Sequence, residues 1–310
     1  MIWTHTGNKV FNATANITCN GVTMGGSIKI NTAGITITLL DDFFLASFIL
    51  HQQGTFEAND KNVTCFGISN NFSTNTRVLN MGSGLWTITA TSGTGWSLAT
   101  ATGLTINAST STIKHTNTGN NALTFAGGGF TYNNLWFDRG TSTGIITITG
   151  SNTFAEFKDT GTVAHTIKFT DGTTQIITSL DTNGSSGNLI TLTGTSTGGW
   201  IISDSSGVNT VSYTNISYST ATGGAIFRAL QKNGNIDGGN NSGWNFGWTD
   251  VNKPTTPTWT NDNPVGKEQY DQSSIEYDDT DIFYDGVNPN QFTKVAKPTT
   301  PTWTKISKPI

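Results

Sequence analysis

The sequence predicts an all-β chain: a single-stranded parallel β-helix with coils of about 19–22 residues, followed by an extended C-terminal tail rich in proline and aromatics. Three observations predict it. Gly contributes 36 of 310 residues, only 12% are charged, and Thr, Ser and Asn fill much of the rest, a mixture that favours strands and turns over helices. Strand-like runs recur at regular spacing through the middle of the chain. After Trp248 that spacing stops and proline appears.

Residues 1–50 are expected to hold an N-terminal cap and the first coils. The opening MIWTHTGNKVFNAT lacks the basic start and apolar run of a signal peptide, so synthesis in the cytoplasm without export is the expectation. GITITLL (Gly34 to Leu40) reads as a strand. The DDFFLASFIL that follows is the most apolar stretch in the chain, and it fits a fully buried strand or a short helix covering the first coil.

Residues 51–247 are expected to form the β-helix. GLWTIT, GLTINA and NALTFAG place Leu85, Leu104 and Leu123 at intervals of 19. Downstream, GIITITG, HTIKFT, NLITLTG and NTVSYT place Ile145, Ile167, Leu189 and Val211 at intervals of 22. Second strands lie between them at Leu135 to Phe137, Phe154 with Phe157, Ile176 with Ile177, and Trp200 to Ile202, so each period carries at least two. A period near 20 built from short strands suits a solenoid whose coils stack in parallel at ~4.8 Å. An antiparallel sandwich also has many short strands, but it has no reason to repeat its spacing.

Residues 248–310 have another character. KPTTPTWT stands at Lys253 to Thr260 and again at Lys297 to Thr304, and WTDVNKP, FTKVAKP and WTKISKP are variants of one unit. Tyr270, Tyr277 and Tyr284 follow at steps of seven. Proline fixes φ and removes a donor, so KPTTP favours extended chain. A segment with many aromatics and few aliphatics gains most by laying them into a partner. Trp248, Trp259, Tyr270, Tyr277, Tyr284, Phe292 and Trp303 are therefore the candidate partner-binding residues of an anchoring or oligomerising tail.

The function classes narrow by charge and chemistry. A net charge of -4 with pI near 5.5 offers no basic face for nucleic acid, and no stretch reaches the ~20 apolar residues that span a bilayer. Cys19 and Cys65 lack metal-ligand spacing and read as buried free thiols. The Asn-x-Ser/Thr triplets at Asn16, Asn62 and Asn107 follow from composition. His5, His51, His115 and His165 are scattered, none with a second ligand at metal spacing, and are expected at the surface or at strand ends. GGG at Gly127 lacks the Lys-Ser/Thr of a phosphate loop, and DDTD at Asp278 departs from the calcium-loop pattern, leaving it a weak divalent-ion binder at most. No cofactor is expected.

Paired carboxylates on a solenoid face could cleave glycans, and the candidates are Asp138, Glu156, Asp159, Asp171 and Asp204. Asp159, Asp171 and Asp204 sit in turns, where Asp is expected for turn chemistry alone. Glu is scarce before the tail, with only Glu57 and Glu156, which argues against an enzyme.

The stretch from about Ala122 to Gly247 resembles a β-helix module that recurs in structural proteins of tailed bacteriophages. LTFAGGGFTYNNLWFDRG, ITGSNTFAEFKDTGTVAHTIKFTDGTTQ, SGNLITLTGTSTGGW and YSTATGGAIF carry the resemblance, with IDGGNNSGWNFG marking the end of the module. It implies a non-enzymatic virion protein, a capsid decoration or head fibre, or else a tail fibre or spike that contacts host surface glycan. Its partners would be other virion proteins and sister subunits, a trimer among the assemblies consistent with it. It brings no catalytic residues.

Overall fold

The computed structural model describes residues 7–70 and 73–247. All its ladders are parallel, and successive strands pair with the coil before and the coil after instead of with each other. No α-helix occurs among the described residues, which hold one short 3-10 turn at Gln231–Asn233. The fold is a β-solenoid. The described residues contain no proline, whose missing N–H would interrupt such ladders.

Each coil carries three strand positions, where the sequence showed at least two. The first face runs through Val63–Ser69, Leu85–Ile88, Thr112–His115, Asn134–Phe137, Thr153–Asp159 and Thr174–Thr182. The second runs from Lys9–Phe11 through Leu123–Ala126, Ile146–Thr149, His165–Phe169, Ile190–Gly194 and Thr214–Ile216 to Ile236–Asp237, about ten coils in all. The third holds Ala15–Ile17, Thr36–Leu39, Gly54–Glu57, Arg77–Asn80 and Leu104–Asn107, and it resumes in the opening residues of the long strands Thr153–Asp159 and Thr174–Thr182, which bend on into the first face, before Trp200–Ser203 and Ser219–Thr222.

Two sequence expectations are corrected by the register. The second-face core ladder is Leu123, Ile146, Ile167, Leu192, Ile216, with steps between 21 and 25 residues. Of the four residues spaced by 22, only Ile167 belongs to it, and Ile145 is 38% exposed. Coil length varies because corner loops take up extra residues without disturbing the strands. The leucines spaced by 19 do not stack: Leu85, Leu104 and Leu123 lie on the first, third and second faces. A full return from Leu85 reaches Thr112.

DDFFLASFIL forms the strand Phe43–His51 and no helix. It pairs with Ile28–Ile30 on one side and Val63–Ser69 on the other, so it is an internal rung and not an end cover. Its register shifts between Leu45 and Phe48, where the strand turns from the first face to the second.

Alternation puts one side-chain set inside and the other in water. On the second face Thr124, Thr147, Lys168 and Thr193 form the outer row beside the buried ladder. Inside, aromatic rings make a continuous spine: Phe43, Phe56, Trp86, Trp96, Phe125, Phe154, Phe157, Phe169 and Trp200 touch in sequence, with centroids 3.9–6.4 Å apart. The corner after Leu123–Ala126 needs its glycines. Gly128 has φ +69°, and a Cβ there would stand 2.2 Å from the Leu98 carbonyl of the neighbouring coil.

Candidate binding face

The first face carries the most varied outer chemistry. Its strands place Lys114, Trp136, Lys158 and Asp181 in one outward row, each directly beside the next. Period-two alternation explains it: Leu135 and Phe137 point into the core, so Trp136 points out. The Lys114 ammonium lies 3.8 Å from the indole centroid and 2.7 Å from Asp138, while Lys158 sits 5.8 Å from the ring and 2.9 Å from Asp181. Such exposed contacts contribute about 0.5–1 kcal/mol each. The Lys114 hydrogen bond holds the Asp138 carboxyl below its usual range, and Asp181 holds Lys158 above its own. The indole N–H donates to Thr160 Oγ1 at 2.8 Å, and that hydroxyl donates on to Asp138 at 3.0 Å.

Beside this row lies an open groove of about 410 Å³, lined by Asn62, Ser83, Gly84, Leu85, Thr112, Trp136, Glu156 and Lys158. Of the five candidate carboxylates, Asp138 and Glu156 come to this face. The other three do not join them.

Asp159 is buried and faces His165, 3.1 Å away, while accepting the Gly161 amide. Asp171 is spent on the corner of the next coil, accepting the Ser196 and Gly198 amides and the Ser196 and Thr195 hydroxyls, which lowers its pKa. Asp204 is buried and takes hydrogen bonds from Asn209 Nδ2 and the Ser206 amide.

The same corner chemistry recurs along the solenoid. Asp42 accepts the Asn62 amide, and Asn62 Oδ1 then accepts the Leu85 amide one coil further. Asn120 holds Thr143, Asn183 holds Ser212, Asn235 holds Thr214 and Asn241 holds Ser219 in the same manner. Glu57, Asn80 and Asn107 form a side-chain ladder on the third face. Abundant Asn in the sequence is therefore structural mortar, since its short amide reaches a backbone N–H one strand spacing away.

Of the two placements expected for the histidines, surface or strand end, the described ones take the second, and His5 lies outside the described residues. His51, His115 and His165 do stand at strand ends, but all three are buried. His51 donates to the Gly54 carbonyl at 2.9 Å, and burial pushes its pKa down to about 4. His115 stacks on Phe137 at 5.1 Å with neither ring nitrogen bonded, and burial pushes it down to about 3. For His165, burial works downward but is outweighed by Asp159 and the Val163 carbonyl, so its pKa is raised. Buried Arg77 and Arg139 bond only to backbone carbonyls, Arg139 to those of Asn117, Gly119, Asn121 and Gly144, and so pin the longer corner loops.

Both cysteines are buried and free, as expected. No group of His, Cys, Asp and Glu among the described residues could hold a metal ion, and no helix there is long and apolar enough to cross a membrane. Trp248, Trp259, Tyr270, Tyr277, Tyr284, Phe292 and Trp303 lie outside the described residues. No protein-family model, no curated protein and no solved structure matches the chain.

Proposed function

We propose that the chain is a non-enzymatic structural protein of a tailed-phage particle, displayed on the capsid or tail and docked through residues 248–310. The observation that carries this reading is the employment of its polar side chains. Three of the five carboxylates that could have served catalysis are spent inside the solenoid or on its corners, and a fourth, Asp138, is neutralised by Lys114. Corner Asn and Asp residues fasten each coil to the next, which makes a stiff rod with a Thr-, Asn- and Ser-bearing surface. The phage-like phrases between Ala122 and Gly247 fall on this rod, and stiffness at low chemical reactivity is what a displayed virion part needs.

The test adds the full chain, a Trp259→Ala/Trp303→Ala variant, and a version truncated after Gly247 to particles lacking the protein. Incorporation of the full chain alone supports docking through the tail. Equal incorporation of all three removes the tail from that role, and no incorporation of any removes the particle reading. Release of oligosaccharide from host surface polysaccharide, lost in Glu156→Gln, would replace the structural reading with that of a cleaving spike.

A further inference from the structure

Among the described residues an Asn or Asp is followed by Gly at Asn20-Gly21, Asp171-Gly172, Asn183-Gly184, Asn233-Gly234 and Asp237-Gly238. Such pairs share a latent reaction. The glycine amide nitrogen attacks the side-chain carbonyl carbon before it and closes a five-membered ring, and no Cβ on the glycine stands in the way.

The fold treats these pairs unequally. Gly172 donates its amide to the Gly199 carbonyl at 2.7 Å, Gly184 to Ser212 at 3.0 Å, Gly234 to Gln231 at 2.9 Å and Gly238 to Ile216 at 2.7 Å. The side chains of Asp171, Asn183 and Asp237 are held as well, by Ser196, Ser212 and Asn241 among others. A Cβ on Gly184 would stand 2.4 Å from the Tyr213 carbonyl and one on Gly234 2.4 Å from its ring, so both glycines are hemmed in.

Asn20-Gly21 lacks these restraints. Both residues are exposed, and neither the Gly21 amide nor the Asn20 side chain has a hydrogen-bond partner among the described residues. A Cβ on Gly21 would meet nothing within 4 Å. The pair runs through left-handed backbone, φ +50° and +72°, in a turn closed by the bond from the Val22 amide to the Cys19 carbonyl at 3.0 Å. Opening that bond frees the rotation that brings the Gly21 nitrogen against Asn20 Cγ.

We propose that Asn20 is a site of self-driven deamidation. The Gly21 nitrogen bonds to Asn20 Cγ, the Cγ–Nδ2 bond breaks, and Nδ2 leaves as ammonia, taking up the proton that the Gly21 nitrogen gave to solvent. Water then opens the succinimide at either carbonyl, leaving aspartate or isoaspartate at position 20. The new carboxylate arises beside Asp41, which accepts the Cys19 and Asn20 amides at 2.7 and 2.6 Å and so fastens this rung to the next. Like charge there, and in isoaspartate a main chain lengthened by a methylene, loosens that clamp. The chemistry rests on the turn alone and is independent of where the chain is displayed.

The experiment holds the full chain folded in mildly alkaline buffer and, in parallel, unfolded in guanidinium chloride. Peptide mass spectrometry follows amide-to-acid conversion at Asn20, Asn183 and Asn233. In the folded chain Asn20 should convert faster than the other two by about tenfold or more, because each of those must first break a further hydrogen bond. Unfolding should bring the three rates together. Gly21→Ala should slow Asn20 in both states, and the Cys19 amide should exchange faster in aged folded protein than in fresh. A folded chain in which Asn20 reacts no faster than Asn183 and Asn233 overturns the proposal, and so does conversion at Asn20 that Gly21→Ala leaves unslowed.

Discussion

His165 and Asp159 meet inside the solenoid with Nε2 3.1 Å from Oδ2, and the other ring nitrogen of His165 lies 2.8 Å from the Val163 carbonyl. Both nitrogens thus face acceptors, an arrangement that only the doubly protonated ring satisfies. The raised pKa follows. The group contributes stability fully present below its unfolded value near 6.5, and that contribution is lost as pH rises through the higher folded value.

Asp159→Asn keeps the shape and the acceptor for Gly161 but removes the charge. It should cost about 3 kcal/mol in mildly acid solution, as expected for a broken buried pair, and less in alkali where the ring is neutral in both proteins. Denaturation of the two proteins at pH 5.5 and 9 checks this. An equal loss at both values would show that His165 is neutral throughout.

His115 should act in the opposite direction. Its folded pKa of about 3 lies below the unfolded value, so the unfolded chain binds the proton first and stability falls as pH drops below about 6.5. The slope is at most about 1.4 kcal/mol per pH unit for this one group, and His51, at about 4, adds to it. His115→Leu should remove the His115 share, so the variant gains on the parent steadily between pH 6.5 and 4 in chemical denaturation.

Asn152 is fully buried: its Oδ1 accepts from the Gly129 amide, and the two hydrogens of its Nδ2 are shared among the Thr149 and Gly150 carbonyls and Gln175 Oε1. Asn152→Ala strands these partners and should cost about 1–3 kcal/mol. Hydrogen exchange should quicken first at Gly129, with the amides of coils before Val63 unchanged.

Neither thiol should react with a maleimide in the folded chain. Burial pushes Cys65 up to about 12 and Cys19 upward as well, so the thiolate is scarce at neutral pH and both sulfurs are enclosed. Labelling should appear only with unfolding, at the same denaturant concentration as loss of the native far-UV signal.

The solenoid was legible from the sequence because alternation and turn residues are local properties. Leu135 to Phe137 and Trp200 to Ile202 are strands as expected. Register was not legible. Ile145 and Ile146 are equally good core residues by type, and only the pairing of Ile146 with Leu123 and Ile167 decides which one enters. The buried histidines escaped for a similar reason, since a strand-end residue turns inward or outward according to the corner that follows. On the binding face, Asp138 and Glu156 were visible as carboxylates. Trp136 was visible only through the alternation of NLWF, and the groove depends on five coils that no short window spans.

The corner hydrogen bonds described above reach one coil and no further, whereas the ring contacts hand on from Phe43 to Trp200 without a break. Load on the molecule is therefore shared unequally. A pull that peels one corner frees a single rung and leaves its neighbours seated, so under tension the solenoid should yield rung by rung, in small repeated force drops. A hole in the spine is different. Trp96 touches Trp86, Phe125 and Tyr132 at once, so its removal would slacken several rungs together and merge those drops into one larger event.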